Sequence, residues 1–180
     1  DEILSITDVF ITHGHHDHVG GVWSLLTYLR VMRKRTDLNL YYPEGCVEIE
    51  SIYNAFRTVY SKSTSYQINL KKIMDYNRFT RRGVTINPFP VCHSEFINEG
   101  NETRLVPALG YKFGYKGKKI CYGGDTAFCP ELLKHAKGAD LAILEAGEEE
   151  ESGDGMHMSM EEAEMIGNSA KEFFLVHVPQ

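Results

Sequence analysis

The 180-residue sequence lacks any long apolar run. No stretch approaches the roughly 18 apolar residues that a membrane-spanning helix requires. No charged and then apolar leader opens the chain, so we expect a cytoplasmic protein. An excess of positive charge is also missing, because the formal net charge is -6. That balance argues against a protein coated in positive charge for non-specific nucleic-acid binding.

Paired cysteines are missing as well. No C-x-x-C pair is formed by the four cysteines, Cys46, Cys92, Cys121 and Cys129. Without a secretory context we expect four reduced thiols, most of them buried. Cys92 and Cys129 stay open as alternative metal ligands. Internal repeats and low-complexity linkers are absent too. A chain of this length that is 42% apolar therefore predicts a single domain over residues 1–180.

Apolar periodicity predicts strands and helices along the chain. The predicted strands are 9–12, 38–42, 84–91, 109–115, 118–122, 141–144 and 173–176. The predicted helices lie around 22–32, 48–60, 131–136 and 159–170. Pro88 indicates that its strand lies at an edge or contains a bulge. Lys116-Gly117 indicates a hairpin turn, and Ser159-Met160-Glu161-Glu162 fits a capping box at the start of a helix. Residues 61–82 are polar and basic and receive no assignment.

Metal-competent side chains repeatedly follow these apolar strands. The run His13-Gly14-His15-His16-Asp17-His18 follows the first strand, and single residues follow three later strands: His93, Asp125 and His177. Each of these residues alone is more often a surface or turn residue than a ligand. The histidines and the aspartate of the run are too costly to bury unpaired. Loops that leave one rim of strands can converge, so we expect these residues to meet.

The residue types and their spacing indicate a metal centre. Imidazole and carboxylate together suit zinc, and manganese or iron less well. His13 and His15 can point the same way from an extended segment, whereas Asp17 and His18 lie on the turn into a helix. These two groups are too many for a single tetrahedral ion with an open position. We therefore expect two Zn²⁺ ions, with Mn²⁺ or Fe²⁺ as alternatives, and Asp125 placed to bridge them.

The pattern His13-x-His15-x-Asp17-His18, followed in order by His93, Asp125 and His177, resembles the metallo-β-lactamase superfamily over essentially the whole chain. The resemblance implies an α/β fold, an αββα sandwich with a binuclear site at one edge. Because the first motif begins within a dozen residues of Asp1, it also implies that the first strands of that fold are missing from this chain. The implied ligands of the first ion are His13, His15 and His93. The implied ligands of the second ion are Asp17, His18 and His177, with Asp125 as the bridge.

Within the superfamily the chain is similar to ribonuclease Z, the tRNA 3′-end endonuclease, and its phosphodiesterase relatives. Three segments carry this likeness: Val106 to Tyr111, Gly124-Asp125-Thr126, and Gly155 to Ser159. Class B1 lactamases have a cysteine where Asp125 stands, which argues against antibiotic hydrolysis. Flavo-diiron oxidoreductases have a glutamate where His15 stands, which favours hydrolysis over oxygen chemistry.

The chain also departs from ribonuclease Z. No Gly/Pro-rich arm for gripping tRNA occurs in residues 61–82, and five basic residues there are interpreted as a solvated loop: Lys71, Lys72, Arg78, Arg81 and Arg82. The His-Glu-Ala-Thr box of that group appears as Leu144-Glu145-Ala146-Gly147. An acidic run, Glu148 to Glu151 with Asp154, would repel a long polyanion near the site. These features favour a small phosphodiester, or an RNA 3′ end, as the substrate.

The implied chemistry follows from charge. Two dications lower the pKa of a shared water toward about 7, so that a metal-bridging hydroxide exists at neutral pH. Asp17 would orient that hydroxide while it ligates. His157 would donate a proton to the leaving oxygen, with Glu145 holding its other ring nitrogen. The alternative for His157 is a surface histidine in an acidic loop. His135 receives no role, and His16 is expected to lie behind the ligands or in solvent.

Three functions remain open from the sequence. The first is a zinc-dependent phosphodiesterase that resembles ribonuclease Z. The second is another hydrolase of the superfamily, acting on a thioester, lactone or amide. The third is a non-catalytic protein that keeps the fold. His157 with Glu145 favours the first, because a carbonyl substrate with a good leaving group needs no proton donor. The complete ligand set argues against the third. A homodimer is left open as the assembly, and no membrane partner is expected.

Overall fold

The structure is a computed structural model that describes residues 2–98, 102–148 and 155–178. The chain divides into two compact units, Asp1–Met74 and Asp75–Gln180. Each unit has an apolar core of its own. The single domain over residues 1–180 therefore stays a prediction. Among the described residues, no helix combines the length and apolar character needed to cross a bilayer.

The first unit is built around a parallel three-stranded sheet. Its strands are β1 (Asp8–Phe10), β2 (Leu38–Pro43) and β3 (Ile68–Ile73), in the order β1-β2-β3. Its helices are α1 (Glu2–Ser5), α2 (His16–Val31) and α3 (Val47–Tyr60), followed by a 3₁₀ turn, Ser61–Ser63. Every residue of the central strand β2 is buried. Such continuous burial, here interrupted by only one polar residue, Asn39, is typical of a parallel strand that is covered on both faces.

Helix α2 is longer at its start than the periodicity predicted. Its buried residues recur at helical spacing: Val19, Val22, Leu26 and Leu29. The helix nevertheless begins at His16, inside the polar motif, with His15 as its N-cap. Asp17 lies in the first turn, where a carboxylate is favourable beside the positive end of the helix dipole. The polar run therefore serves both as a candidate ligand loop and as the start of a helix.

A buried lysine fixes the segment that leads to β1. Nζ of Lys34 donates to the backbone oxygens of Leu4 (2.7 Å) and Ile6 (2.6 Å) and to Oγ1 of Thr36 (2.8 Å). The backbone N–H of Lys34 donates to the carbonyl of Leu29 at the end of α2. Because Ile6 lies two residues before β1, this ammonium group ties the start of the chain to the end of the helix.

Replacing Lys34 with methionine is expected to destabilise the protein. Each hydrogen bond to a charged group contributes about 1.5–3 kcal/mol. Losing several of them, with the partly buried acceptors left behind, should lower the free energy of unfolding by about 2–4 kcal/mol. Urea unfolding followed by circular dichroism measures this, and Lys62→Met, at an exposed lysine, is the matched control. A Lys34→Met variant as stable as the Lys62→Met variant would show that Lys34 does not hold this segment.

The second unit is built on a six-stranded sheet and a small hairpin. Its large sheet has the order β11-β10-β9-β8-β5-β4. Those strands are β4 (Phe79–Arg81), β5 (Val84–Pro90), β8 (Leu109–Tyr115), β9 (Lys118–Tyr122), β10 (Leu141–Glu145) and β11 (Phe173–Val176). The hairpin pairs β6 (Ser94–Phe96) with β7 (Thr103–Leu105). Strands β9, β10 and β11 run parallel to one another, so their carboxyl ends lie at the same edge.

Two helices pack against this sheet: α4 (Pro130–Ala136) and α5 (Met160–Gly167). Their apolar residues join those of the sheet in one core that includes Leu132, Ile166 and Leu144. The capping box at Ser159 is confirmed, since its hydroxyl accepts from the backbone N–H of Glu162. Helix α5 ends at Gly167, three residues before the predicted end, because 3₁₀-type bonds take over in the last turn.

Other expectations for the strands are confirmed in part. Lys116 and Gly117 both have positive φ, 47° and 81°, as a two-residue type I′ hairpin requires. Strand β4 covers only residues 84–86 of β5, so Pro88 lies beyond it, where its missing N–H costs no pairing on that side. The unassigned segment 61–82 contains β3 and β4. Lys71 and Lys72 are exposed but belong to β3, and the half-buried Arg81 belongs to β4, which corrects the interpretation of these three residues as part of a solvated loop.

Candidate metal centre

The first group of candidate ligands lies on the loop between β1 and α2. The backbone N–H of Ile11 donates to the carbonyl of Tyr41, so the chain stays anchored to β2 up to the start of the loop. His13 is buried, whereas His15 and His18 are half-buried. The side chain of Asp17 is 61% exposed. The loop therefore presents its donors at different depths, from a buried imidazole to an exposed carboxylate.

His13 lies at the centre of this group. Its ring centroid is 4.7 Å from that of His15 and 4.1 Å from that of His18. Its ligand nitrogen lies within 4.8 Å of the ligand nitrogen of each. Oγ1 of Thr12 is 3.2 Å from Nδ1 of His13 and 3.5 Å from Nδ1 of His18. Oδ2 of Asp17 is 3.2 Å from Nε2 of His18. The two expected pairs, His13 with His15 and Asp17 with His18, are therefore both formed within the unit.

The second group lies at the carboxyl edge of the large sheet. One ligand atom each from Asp125, His157 and His177 lies within 4.8 Å of the others. Asp125 follows β9 and His177 follows β11, which are parallel strands on either side of β10. Oδ2 of Asp125 is 3.3 Å from Nδ1 of His177. The ring centroids of His157 and His177 are 4.9 Å apart. The carboxylate of Asp125 and the imidazole of His177 are donors of the kind that zinc accepts.

His177 has an unusual backbone conformation for its residue type. Its φ is +52°, in the left-handed region that a residue with a Cβ adopts only at a cost of about 1–2 kcal/mol. The turn comes directly after the last residue of β11. Strain of this kind is concentrated at functional sites. Here it accompanies the approach of the imidazole to Asp125.

Glu145 holds the surroundings of Asp125 and His157 in place. Glu145 is the last residue of strand β10, and its side chain is 1% exposed. Oε1 accepts from the backbone N–H of Thr126 (2.8 Å) and lies 3.1 Å from Nδ1 of His157. Oε2 accepts from the backbone N–H of Gly147 (2.7 Å). One buried carboxylate therefore holds both the backbone of Thr126, the residue after Asp125, and one ring nitrogen of His157.

The same contacts change the protonation of His157. Its hydrogen bond with Glu145 raises the pKa of His157 above its usual value, burial opposes this, and the negative charges of Glu145, Asp125 and Glu148 add to the rise. The imidazole is 21% exposed. Because Nδ1 faces Glu145, Nε2 is the ring nitrogen that is not engaged by this carboxylate. This arrangement is suited to holding a proton near Asp125 and His177.

His93 belongs to the same neighbourhood of the second unit. It is buried, and its Nδ1 lies 2.7 Å from the carbonyl oxygen of Met156. A carbonyl oxygen only accepts, so Nδ1 carries the proton and the lone pair is on Nε2. The ring centroids of His93 and His157 are 5.4 Å apart. His93 therefore has one ring nitrogen held by a backbone carbonyl, as metal-ligating histidines commonly do.

The remaining histidines and the cysteines have other surroundings. His16 is exposed, and His135 stacks on Phe89 at 4.1 Å, where burial lowers the pKa of the imidazole. In the described part of the chain, no cluster of three close donor atoms includes Cys92 or Cys129. The acidic run lies outside the described residues except for Glu148. The sequence predicted that Glu145 holds His157, but it did not predict the hydrogen bonds of Glu145 to the backbone of Thr126 and Gly147. The Gly124-Asp125-Thr126 motif was the feature of the sequence that pointed to this position.

The chain is similar in sequence to a protein family and to proteins named ribonuclease Z. A sequence model of the family described as "Beta-lactamase superfamily domain" matches residues 1–177. The chain is 25% identical to a ribonuclease Z of Methanothermobacter thermautotrophicus, over 97% of this chain and 70% of that protein. It is 28% identical to a ribonuclease Z of Ignicoccus hospitalis, over 94% of this chain and 69% of that protein.

Two solved structures share the fold. The human tRNase Z short form superposes with a TM-score of 0.76 at 22% identity, covering 99% of this chain and 74% of that one. The metallo-beta-lactamase fold protein YhfI of Bacillus subtilis gives a TM-score of 0.76 at 20% identity, covering 99% and 67%. At these identities the likeness shows the fold alone. It confirms the predicted α/β fold of the metallo-β-lactamase type, in a chain that is shorter than these relatives.

Proposed function

Because the chain belongs to the beta-lactamase superfamily domain family, we propose that it is a binuclear zinc-dependent phosphodiesterase similar to ribonuclease Z. The observation that carries the proposal is the cluster of Asp125, His157 and His177, with Glu145 behind it. Relatives that are named ribonuclease Z over nearly the whole chain support a hydrolase that acts on phosphodiesters.

The proposed ligand sets combine both groups of donors. In this proposal His13, His15 and His93 would hold one ion. Asp17, His18 and His177 would hold the other, and Asp125 would be shared by both. The fit rests on donor chemistry, since imidazole and carboxylate are zinc ligands that Mn²⁺ and Fe²⁺ also accept. The orientation of His93, whose Nδ1 faces the carbonyl of Met156, supports a ligand role for Nε2.

The chemistry divides between the ions and the side chains. Bound ions would supply a nucleophile at neutral pH by lowering the pKa of water toward about 7. Asp17 orients the attacking water through its carboxylate. Glu145 holds Nδ1 of His157, so that Nε2 delivers a proton to the leaving oxygen of the ester. In this proposal His157 is a proton donor rather than a metal ligand.

The proposed substrate is a phosphodiester, with an RNA 3′ end as the specific candidate. The test is a panel assay on zinc-loaded full-length protein, using bis(p-nitrophenyl) phosphate and an RNA with a 3′ extension beside a lactone, a thioester and an amide. We expect hydrolysis of the phosphodiesters, lost after chelation and restored by zinc. Turnover of a carbonyl substrate alone would favour another hydrolase of the superfamily. Less than one zinc per chain, with no turnover of any substrate, would favour a non-catalytic protein.

Gly147 offers a sharp test of the position of His157. A Cβ built on Gly147 would lie 2.8 Å from Cγ and 3.0 Å from Nδ1 of His157, closer than real atoms pack. Gly147→Ala should therefore displace the imidazole from Glu145. A misplacement of about 1 Å can cost about 10²-fold in rate. We therefore expect about a 10–10²-fold loss of kcat on an RNA substrate, with unchanged zinc content.

The matched control for this substitution is Gly21→Ala. Gly21 lies in α2, and an added Cβ meets nothing within 4 Å. That variant should keep the parent rate. A Gly147→Ala variant that also keeps the parent rate would show that the position of the His157 ring does not matter for turnover.

A further inference from the structure

Two thiols that the proposed chemistry does not use lie together in the second unit. Cys92 immediately precedes His93, and Cys129 is the N-cap of α4. The Cys129 thiol neighbours the Cys92 thiol, and burial together with this neighbour raises the pKa of Cys92. Sγ of Cys129 in turn lies 3.8 Å from the carbonyl oxygen of Pro90, two residues before Cys92. The two thiols are therefore neighbours although they are 37 positions apart in sequence.

The backbone holds the two cysteine segments side by side. The N–H of Cys92 donates to Oγ1 of Thr126 (3.0 Å). The carbonyl of Cys92 accepts from the backbone N–H of Ala127 (2.7 Å). Thr126 is itself fixed by Glu145. Because both segments are tied in this way, the thiols cannot drift apart without breaking several hydrogen bonds.

The two thiols also differ in access. Cys92 is exposed, whereas Cys129 is buried, as are Cys46 and Cys121. Cys92 is therefore the cysteine that a small dissolved oxidant reaches first. A buried thiol beside an accessible one can resolve an oxidised form of the accessible thiol.

We propose that Cys92 and Cys129 form a reversible disulfide when the protein meets hydrogen peroxide. The sulfur of Cys92 attacks one peroxide oxygen, the O–O bond breaks, and water leaves with a sulfenic acid on Cys92. The sulfur of Cys129 then attacks that sulfur and displaces the hydroxyl group as a second water. Two thiols and one peroxide thus give one disulfide and two waters, with sulfur oxidised and oxygen reduced.

The disulfide would act on the neighbouring ligands. An S–S bond is about 2.05 Å long, so the sulfurs must approach each other from hydrogen-bonding distance. That approach draws Cys92 toward the start of α4, and His93 is the next residue. Thr126, which is hydrogen-bonded to the backbone of Cys92, follows Asp125 directly. We therefore expect the disulfide to weaken zinc binding, and this consequence alone rests on the proposed function.

The disulfide is tested by peptide mapping of the full chain. Reduced protein is treated with hydrogen peroxide, blocked with N-ethylmaleimide and digested with trypsin without reductant. Cys92 falls on the peptide Gly83 to Arg104, and Cys129 on Ile120 to Lys134, which also contains Cys121. We expect these two peptides to be linked, with fragmentation placing the link on Cys129. Dithiothreitol should release both.

Serine variants make the outcome decisive. The link should vanish in Cys92→Ser and Cys129→Ser, while Cys46→Ser should keep it. In Cys129→Ser, Cys92 should stay as a sulfenic acid that dimedone traps, because no thiol resolves it. Irreversible oxidation of Cys92 in the parent protein without a linked peptide would overturn the proposal, as would a link that persists in Cys129→Ser.

A second readout separates this proposal from the proposed function. Zinc released on peroxide treatment is followed with a chromophoric chelator, in the parent protein and in Cys129→Ser. Release in the parent protein alone supports the effect on the ligands. A disulfide that forms without zinc release would overturn that effect and leave the disulfide itself established. A parent protein that carries no zinc would refute the proposed function without touching the peptide result.

Discussion

Asp125→Ala is expected to lose bound metal and activity together. The carboxylate is buried at the end of β9, with Oδ2 3.3 Å from Nδ1 of His177. If it bridges two ions, its removal leaves each of them one ligand short. Loss of a group that merely supports a ligand costs roughly 10–100-fold in metal affinity or activity. The loss of a bridging ligand should be larger than that range.

The measurement is zinc per chain by mass spectrometry after desalting, together with the rate on bis(p-nitrophenyl) phosphate. Asp125→Asn keeps the volume of the side chain and serves as a second variant if the alanine protein unfolds. Asp75→Ala, at an exposed aspartate, is the matched control and should keep both zinc and rate. An Asp125→Asn protein that is folded, retains two zinc ions per chain and turns over at the parent rate would contradict the bridging role.

His157→Ala should behave differently, keeping its metal but turning over slowly. Nδ1 of His157 faces Glu145 at 3.1 Å, which leaves Nε2 to donate a proton. Removal of a general acid typically slows a reaction by about 10²–10⁴-fold. We expect a loss of that order with two zinc ions still bound. A protein that instead loses zinc would identify His157 as a ligand.

The choice of substrate makes this prediction specific to proton donation. A nitrophenolate leaves without help, whereas the sugar oxygen of RNA needs a proton. The His157→Ala defect should therefore be small on bis(p-nitrophenyl) phosphate and large on an RNA substrate. His16→Gln, at an exposed histidine, is the control and should stay close to the parent rate. Equal rates for His157→Ala and parent on every phosphodiester would exclude the proton-donor role.

The sequence predicted that Asp125 and His177 lie together because both residues follow strands. Val9 to Thr12 and Phe173 to Val176 are apolar runs that end in a candidate ligand, and they form strands in the structure apart from one or two terminal residues. The ends of parallel strands share one edge of a sheet. The grouping of Asp125 with His177 therefore follows from chain pattern once the strands are assigned.

Other features depend on tertiary contacts that no local pattern encodes. Strand β3 was hidden because Lys71 and Lys72 break its apolar alternation, and its pairing with β2 overrides that preference. The left-handed backbone of His177 appears only in the folded chain. The contact of Gly147 with the His157 ring is likewise tertiary, because ten residues separate them in sequence.

The most direct test of the account is a crystal structure of the zinc-loaded full-length protein, with zinc located by anomalous scattering. We expect two zinc ions about 3.5–4 Å apart. Asp125 should contact both, with His13, His15 and His93 on one and Asp17, His18 and His177 on the other. A single zinc ion would contradict the proposed centre. So would two ions of which neither is bound both by Asp125 and by the loop from His13 to His18.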